Sequence, residues 1–494
     1  MNFLAFNLPP ILDYILGAVY VFALVYTIIK ILLDTHSTSK TLSYLLVVIA
    51  LPIIGILFYF SFGINYRHHK SNQKTIDIYH RVTNEYLANV EDHTDKLIDE
   101  NKEFLQPYTS LISFVRNLNK ESLSSNQFKL LINGEEKFPE MLAVLNAAKK
   151  HIHMEYYAWE NDVRGKQIKE VLLKKAKEGV SVRIMYDAYA SRKIKHNIVK
   201  ELHNGGVEIH PVIKVKMAQL ANRMNHRDHR KIIIVDGSIG FVGGINLSDR
   251  YDNSIDTGLF WRDTHMKITG PGVVNIQRHW VINWHACQNN RIAFDENLMP
   301  DSLKKDDTKI AELSQIMVGG PIYPMSTIML TYAKMFSLAQ KKLYITNPYF
   351  IPNETILDVL KQAAKSGVDV RLMMPEKSDS AVVGAAAKFY YEELLHAGVK
   401  IFMYKKGFVH AKTAVADGAV SIVGSANMDI RSFDLNFEIF SIVYGEKLAS
   451  ELEQAYLNDL KECVELDYET WIKGSTFKRL TYAVCPLGFF IFIG

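Results

Sequence analysis

Cysteine is scarce. The chain holds three in 494 residues, Cys287, Cys463 and Cys485. They are too few and too scattered for a disulfide framework or a cysteine metal cluster. No Cys-x-x-Cys and no His-Glu-x-x-His occurs, so the common zinc signatures are missing too. An excess of charge of either sign is also small. The net charge of +4 with 22% charged residues does not demand a nucleic acid, though it suits an anionic membrane surface. The first ten residues contain no Lys or Arg, and so lack the basic region of a signal peptide. Between Arg67 and Glu103 there is no Gly or Pro. That charged stretch reads as a solvated helical connector, and His68-His69 within it as a solvated pair.

Long apolar runs are present, and there are two. Residues 11–33 are almost wholly apolar, and residues 42–64 contain no charge. Each reaches the ~20 helical residues that cross a hydrocarbon core. Pro52 and Gly55 fit a kink in the second span. Together the spans predict a transmembrane hairpin over residues 1–65. Arg67, Lys70, Lys74 and Arg81 follow it, against Lys30 and Lys40 between the spans. This excess predicts a multi-pass protein of the cell membrane with the large domain after the spans in the cytoplasm.

One short pattern occurs twice. His229, Lys231 and Asp236 form a His-x-Lys-x4-Asp stretch, and His410, Lys412 and Asp417 repeat it 181 positions later (410 minus 229). Each Asp is followed at the same distance by a Gly (Gly243, Gly424) and then an Asn (Asn246, Asn427). The residues between Lys and Asp are apolar and mostly β-branched or small, which predicts a buried strand. Positions two apart share a face of a strand, so each His and its Lys point the same way. Asp236-Gly237 and Asp417-Gly418 read as turns into second strands.

Two imidazoles, two ammoniums and two amides make a donor-rich pocket for a tetrahedral anion such as a phosphodiester. Lys231 and Lys412, with Asn246 and Asn427, are the candidate phosphate ligands. One His can attack phosphorus while the other protonates the leaving oxygen and later serves as base. Asp263, 34 residues after His229, and Glu438, 28 after His410, are available to orient the imidazoles. Asp236 and Asp417 belong to the motif and join the catalytic candidates, although Asp before Gly is also a natural turn former. A metal centre is disfavoured, because a Lys two residues from each His is a poor neighbour for a cation. His226 reads as a positioning or core residue.

These motifs resemble the phospholipase D superfamily. The flanking strings narrow the resemblance to the bacterial cardiolipin synthases. They are Asn225-His226-Arg227-Asp228-His229-Arg230-Lys231, Trp261-Arg262-Asp263-Thr264-His265, Asn347-Pro348-Tyr349-Phe350-Ile351-Pro352, and the run from Asn427 through Arg431, Ser432 and Asn436 to Glu438. Ala190, before Ser191, departs from the Gly expected there. The resemblance implies that one phosphatidylglycerol gives its phosphatidyl group to a His and releases glycerol, and that a second then attacks to give cardiolipin. It implies no metal or nucleotide cofactor, since the phosphodiester energy is conserved. The partners would be phosphatidylglycerol and the bilayer, not nucleic acid. A hydrolase would use the same residues with water as acceptor. A non-catalytic lipid-binding protein would not need both His-Lys pairs intact.

The rest of the chain is an internal repeat. The strand at 152–157 matches that at 343–348, and the helix ending at Gly179 matches that ending at Gly367. Each half reads strand, helix, strand, helix, strand, then the motif hairpin. The expected fold class is therefore α/β: two tandem phospholipase D-like sandwich halves with pseudo-two-fold symmetry, over residues 126–300 and 310–494. Residues 66–125 form the connector, and the halves divide near 297–309. Ile276, Trp280 and Trp284 recur at helical spacing and read as core. Tyr349, Phe350 and Ile351 are candidates for the lipid path or for packing. The apolar tail at 480–494 is too short to span and suits the membrane interface.

Overall fold

The computed structural model describes residues 10–35, 38–60, 73–212, 226–288, 291–294, 298–299, 312–475, 477–483 and 485. Arg67, Lys70, His68-His69, most of the 297–309 boundary and most of the C-terminal tail lie outside them.

In chain order the first strands are β1 (Ser124–Ile132), β2 (His151–Tyr156), β3 (Ser181–Tyr186), β4 (Glu208–Pro211), β5 (Lys231–Val235), β6 (Ile239–Gly243), β7 (Trp261–Arg262) and β8 (Thr264–Thr269). The second series is β9 (Glu312–Gly319), β10 (Lys342–Thr346), β11 (Phe350–Ile351), β12 (Asp369–Pro375), β13 (Lys400–Tyr404), β14 (Phe408–Val409), β15 (Thr413–Ala416), β16 (Val420–Gly424), β17 (Met428–Asp429), β18 (Glu438–Tyr444) and β19 (Cys463–Glu465). Fifteen of them form one mixed sheet. From its seam the first half runs β1-β8-β6-β5-β2-β3-β4, and the second runs β9-β18-β16-β15-β10-β12-β13, with β19 at the far edge. The same order is thus used twice. The seam is a short antiparallel pairing of residues 124–126 with 312–314.

Parallel neighbours need crossover helices, and the sequence supplies them with caps. Val163–Lys177 starts where the Asp162 side chain accepts from the Gly165 amide. Glu354–Lys365 starts where Asn353 accepts from Ile356. Both stop at a left-handed glycine, Gly179 or Gly367, as their positions predict. Between the halves lies a shared apolar core. Ile232, Ile234, Val242 and Met266 from the first half meet Val415, Val423, Ile439 and Val443 from the second. Trp280 and Trp284, both fully buried, complete it.

The connector departs from its expected solvated character. Helix Gln73–Asn89 buries Ile78, Val82 and Tyr86, and the Tyr86 hydroxyl donates to Asn275 at 2.6 Å. Those three residues recur every four positions, an apolar stripe set in a charged sequence. The stretch is therefore part of the enzyme body.

The N-terminal segment also departs from expectation. Pro10–Asp34 is one helix long and apolar enough to cross a membrane. The second expected span is instead two short helices, Thr38–Ala50 and Pro52–Phe58. Pro disfavours the helical conformation of the residue before it, and Leu51 sits at φ −134°, ψ 70°. The chain folds back there. A Cβ on Gly55 would lie 2.6 Å from the Val48 Cα, and the Tyr59 hydroxyl reaches Asp34 at 3.4 Å.

Candidate active site

Both motifs fold as antiparallel hairpins, β5–β6 and β15–β16. The turns require left-handed backbone. Asp236 and Gly237 take φ 52° and 67°, and Asp417 and Gly418 take 54° and 67°. The Asp236 carboxylate accepts from the amides of Lys149, Lys150 and His151 at 2.7–2.9 Å. Asp417 does the same for Gln340, Lys341 and Lys342 at 2.7–3.0 Å. This corrects their place among the catalytic candidates. Seven residues of extended chain separate each Asp from its His, about 23 Å at 3.3 Å per residue. Both are committed to backbone amides at the opposite end of the hairpin.

At the near end, Gly243 and Gly424 allow close approach of the next strand. A Cβ on Gly243 would sit 2.5 Å from the His265 Cα, and one on Gly424 would sit 2.2 Å from the Phe440 Cβ.

The imidazoles are held across the halves. His229 Nδ1 lies 2.9 and 3.0 Å from the two oxygens of Glu438, which belongs to the second half. His410 Nδ1 lies 2.6 Å from Asp263 of the first. Sequence proximity alone would have paired each acid with the His of its own half. Short cross-half backbone bonds enforce the exchange. The His229 amide donates to the Phe437 carbonyl at 2.9 Å, and the His410 amide to the Arg262 carbonyl at 2.7 Å. β14 pairs in parallel with β7, placing Val409 beside Arg262. Each half therefore carries the acid that completes the other half's histidine. With Nδ1–H directed to a carboxylate, Nε2 keeps its lone pair.

Lys231 and Lys412 are fully buried, and each Nζ donates to the carbonyl of its own motif's His. Burial pulls Lys231 down to about 7 and Lys412 to about 8, with Glu438 and Asp263 opposing. Burial and Lys412 push His410 down to about 3, and burial also lowers His229, against Glu438. Both shifts favour the neutral ring in the free enzyme. Glu438 is buried, which disfavours its charge, but His229 and Lys231 hold its carboxyl below the usual range. Ser432 also donates to it, at 2.8 Å, as does Ser425.

The two asparagines differ. Asn246 accepts from the Ala158 amide at 3.2 Å and donates to the Tyr251 hydroxyl at 2.7 Å. The Asn427 side-chain oxygen is buried with no hydrogen-bond partner among the described residues. Ala190 adopts no left-handed φ and donates to Asp187, so Gly is not required there. Several neighbours were not singled out from the sequence. Tyr157 lies edge-on to His229 at 4.7 Å, and Trp261 and Tyr251 lie 5.3 and 5.7 Å from His410. Ser425 and Ser432 sit within or beside the quoted strings and could have been found there. The tyrosines carry no spacing signal, because tertiary packing alone delivers them.

Comparison with known proteins decides the family. A family model described as cardiolipin synthase, PLD-like domain, matches residues 141–279 and 332–460. The chain belongs to the cardiolipin synthase family. A second model, phospholipase D-nuclease N-terminal, matches residues 18–63. A cardiolipin synthase of Geobacillus sp. (strain WCH70) is 37% identical over 94% of this chain and 91% of its own length. One of Listeria welshimeri is 35% identical over 97% of this chain and 98% of its own. Among solved structures, the phosphatidylserine synthase of Haemophilus influenzae superposes with a TM-score of 0.56 at 16% identity, over 76% of this chain and 96% of that one. That likeness supports the fold. Family membership and the cross-half site make the chain an enzyme of the phospholipase D superfamily.

Proposed function

We propose that this enzyme transfers a phosphatidyl group between two phosphatidylglycerol molecules, yielding cardiolipin and glycerol. The observation that carries the reading is the reciprocal pairing of His229 with Glu438 and His410 with Asp263. Two imidazoles with fixed tautomers are what a double displacement at phosphorus needs. Nε2 of one His attacks phosphorus, and the bond from phosphorus to the glycerol oxygen breaks. The other His, protonated on both nitrogens in the substrate complex with its carboxylate and the bound phosphodiester offsetting the charge, gives its Nε2 proton to that oxygen. A hydroxyl of the second phosphatidylglycerol then returns a proton to this His and attacks phosphorus, and the bond from phosphorus to nitrogen breaks. Lys231 and Lys412 stabilise the charge that builds on the phosphoryl oxygens.

Both apolar N-terminal stretches belong in the membrane in this reading. The fold-back at Leu51 leaves Ile53, Ile54 and Leu57 58–65% exposed. Acyl chains would cover those side chains and remove the incentive to fold back, so the second stretch crosses beside the first. The excess of Arg67, Lys70, Lys74 and Arg81 over Lys30 and Lys40 supports a cytoplasmic catalytic domain in this reading. Single cysteines near residue 5 and in the exposed part of the catalytic domain should then be labelled from the same side of sealed vesicles. Labelling from opposite sides would mean that the second stretch is re-entrant.

The activity is tested with purified protein in mixed micelles of phosphatidylglycerol. Cardiolipin and glycerol in equal amounts are expected. Phosphatidic acid in place of cardiolipin would make water the acceptor and the enzyme a hydrolase.

A further inference from the structure

On the His410 side, the site is bordered by a helix with an apolar outer face. Tyr349, a candidate for the lipid path on sequence grounds, has its ring 6.5 Å from that of His410. Its hydroxyl donates to Asp379 at 2.7 Å. Phe350 and Ile351, which follow it, are fully buried and serve packing. Ser380, next after Asp379, caps helix Ala381–Lys388 by accepting from the Val383 amide. One tyrosine therefore bridges the imidazole and the start of this helix.

From Ala381 to Ala387 the helix has only small apolar residues. Ala386 and Ala387 are buried on the enzyme. Val382 and Phe389, seven positions or about two turns apart, share another face and are 54% and 47% exposed. A surface helix of a soluble enzyme carries polar residues there. The C-terminal segment adds to the patch. Residues 477–483 are helical, with Phe477 78% and Leu480 60% exposed. The two segments lie side by side. Lys388 sits over the Tyr482 ring at 5.7 Å, and Arg479 pairs with Glu392 at 2.9 Å. Trp471 joins them from below, 5.3 Å from the Tyr391 ring and 6.1 Å from that of Tyr482.

Charge and composition identify what covers this surface. From Lys473 to Gly494 the chain has three basic residues and no acid, and residues 486–494 are uncharged and mostly apolar. The acids at the start of the helix are engaged, Glu376 with Lys405 at 3.8 Å and Asp379 with Tyr349. Exposed apolar side chains rimmed by cations match an anionic lipid surface. The apolar groups enter the acyl boundary while Lys and Arg heads stay among the phosphates. We infer that helix Ala381–Lys388 and the C-terminal segment form a membrane-docking surface, which lays the His410 side of the site on an anionic bilayer and lets the lipid substrate enter past Tyr349. This rests on the lipid substrate of the proposed function, and not on which acceptor takes the phosphatidyl group.

The test uses full-length protein, with its three cysteines changed to serine, reconstituted in vesicles containing phosphatidylglycerol. Single cysteines at Val382, Leu480 and Ala147 carry a bimane label. Ala147 is the control, exposed beside the Asp236 turn at the far end of the motif hairpin. Nitroxide on the lipid acyl chains should quench the label at 382 and 480 about threefold or more above that at 147, and aqueous iodide should do the reverse. Equal iodide quenching at all three positions would overturn the docking surface. Activity gives a second readout, as glycerol released from phosphatidylglycerol vesicles or from monomeric dihexanoyl phosphatidylglycerol. The double variant Val382→Asn, Phe389→Asn should lose about tenfold or more in kcat/KM on vesicles and stay within about twofold on the monomer. An equal fall on both substrates, or no fall on either, would contradict the inference. If the unaltered enzyme releases no glycerol from either form, the phosphatidylglycerol reading fails, while the quenching still decides the surface.

Discussion

At the residue scale, the chemistry depends on which proton sits on which nitrogen. Glu438→Gln and Asp263→Asn preserve shape but lose the charge that fixes Nδ1–H and supports the imidazolium. Each should lower kcat by roughly 100-fold or more while the melting temperature moves little, as kinetics beside thermal denaturation will check. His229→Ala and His410→Ala should each abolish turnover with the protein still folded. The lysines give a pH dependence of definite sign. With Lys231 held near about 7 and Lys412 near about 8, both are ammoniums below that window and lose their protons through it. kcat/KM, which reports the free enzyme, should therefore decline as pH rises from about 7 to 9, whereas ordinary lysines would hold it flat to about 10. The His and Lys were legible in the sequence because the motif occurs twice at fixed spacing. Their partner acids were legible as candidates, but not their exchange. No local pattern records that residue 437 pairs with 228 and residue 409 with 262.

At the element scale, the motif hairpin is fastened by its Asp at one end and carries its His and Lys at the other. Asp236→Ala would leave three strand-entry amides without their acceptor and strain nothing at the imidazole. It should cost about 1–3 kcal/mol of stability, seen in denaturant unfolding, while kcat of the folded fraction stays within about threefold. A fall in kcat as large as that of Glu438→Gln would instead return Asp236 to the chemistry. Motif membership made both aspartates look catalytic, yet the Asp-Gly dipeptide already carried the turn reading, and the left-handed φ agrees with the turn. The helix ends at Gly179 and Gly367 were readable for the same local reason. The break at Leu51 was written in Pro52, which the sequence shows as a kink within a run of 23 uncharged residues.

At the scale of the whole molecule, each half completes the other's imidazole–carboxylate pair. Neither half holds a complete imidazole–carboxylate pair, so neither expressed alone should turn over substrate. The repeat was readable as strand and helix order, and the doubled sheet order follows from it. The packing of Gln73–Asn89 on the first half was hidden, because a charged helix shows its buried stripe only once a partner is known. The central claim is that phosphorus is passed through a histidine. Each in-line displacement inverts phosphorus, so two in sequence restore it. The decisive measurement is the stereochemical course with phosphatidylglycerol made chiral at phosphorus by sulfur substitution. Retention in the product is expected, while inversion would mean a single direct displacement and remove the covalent histidine step.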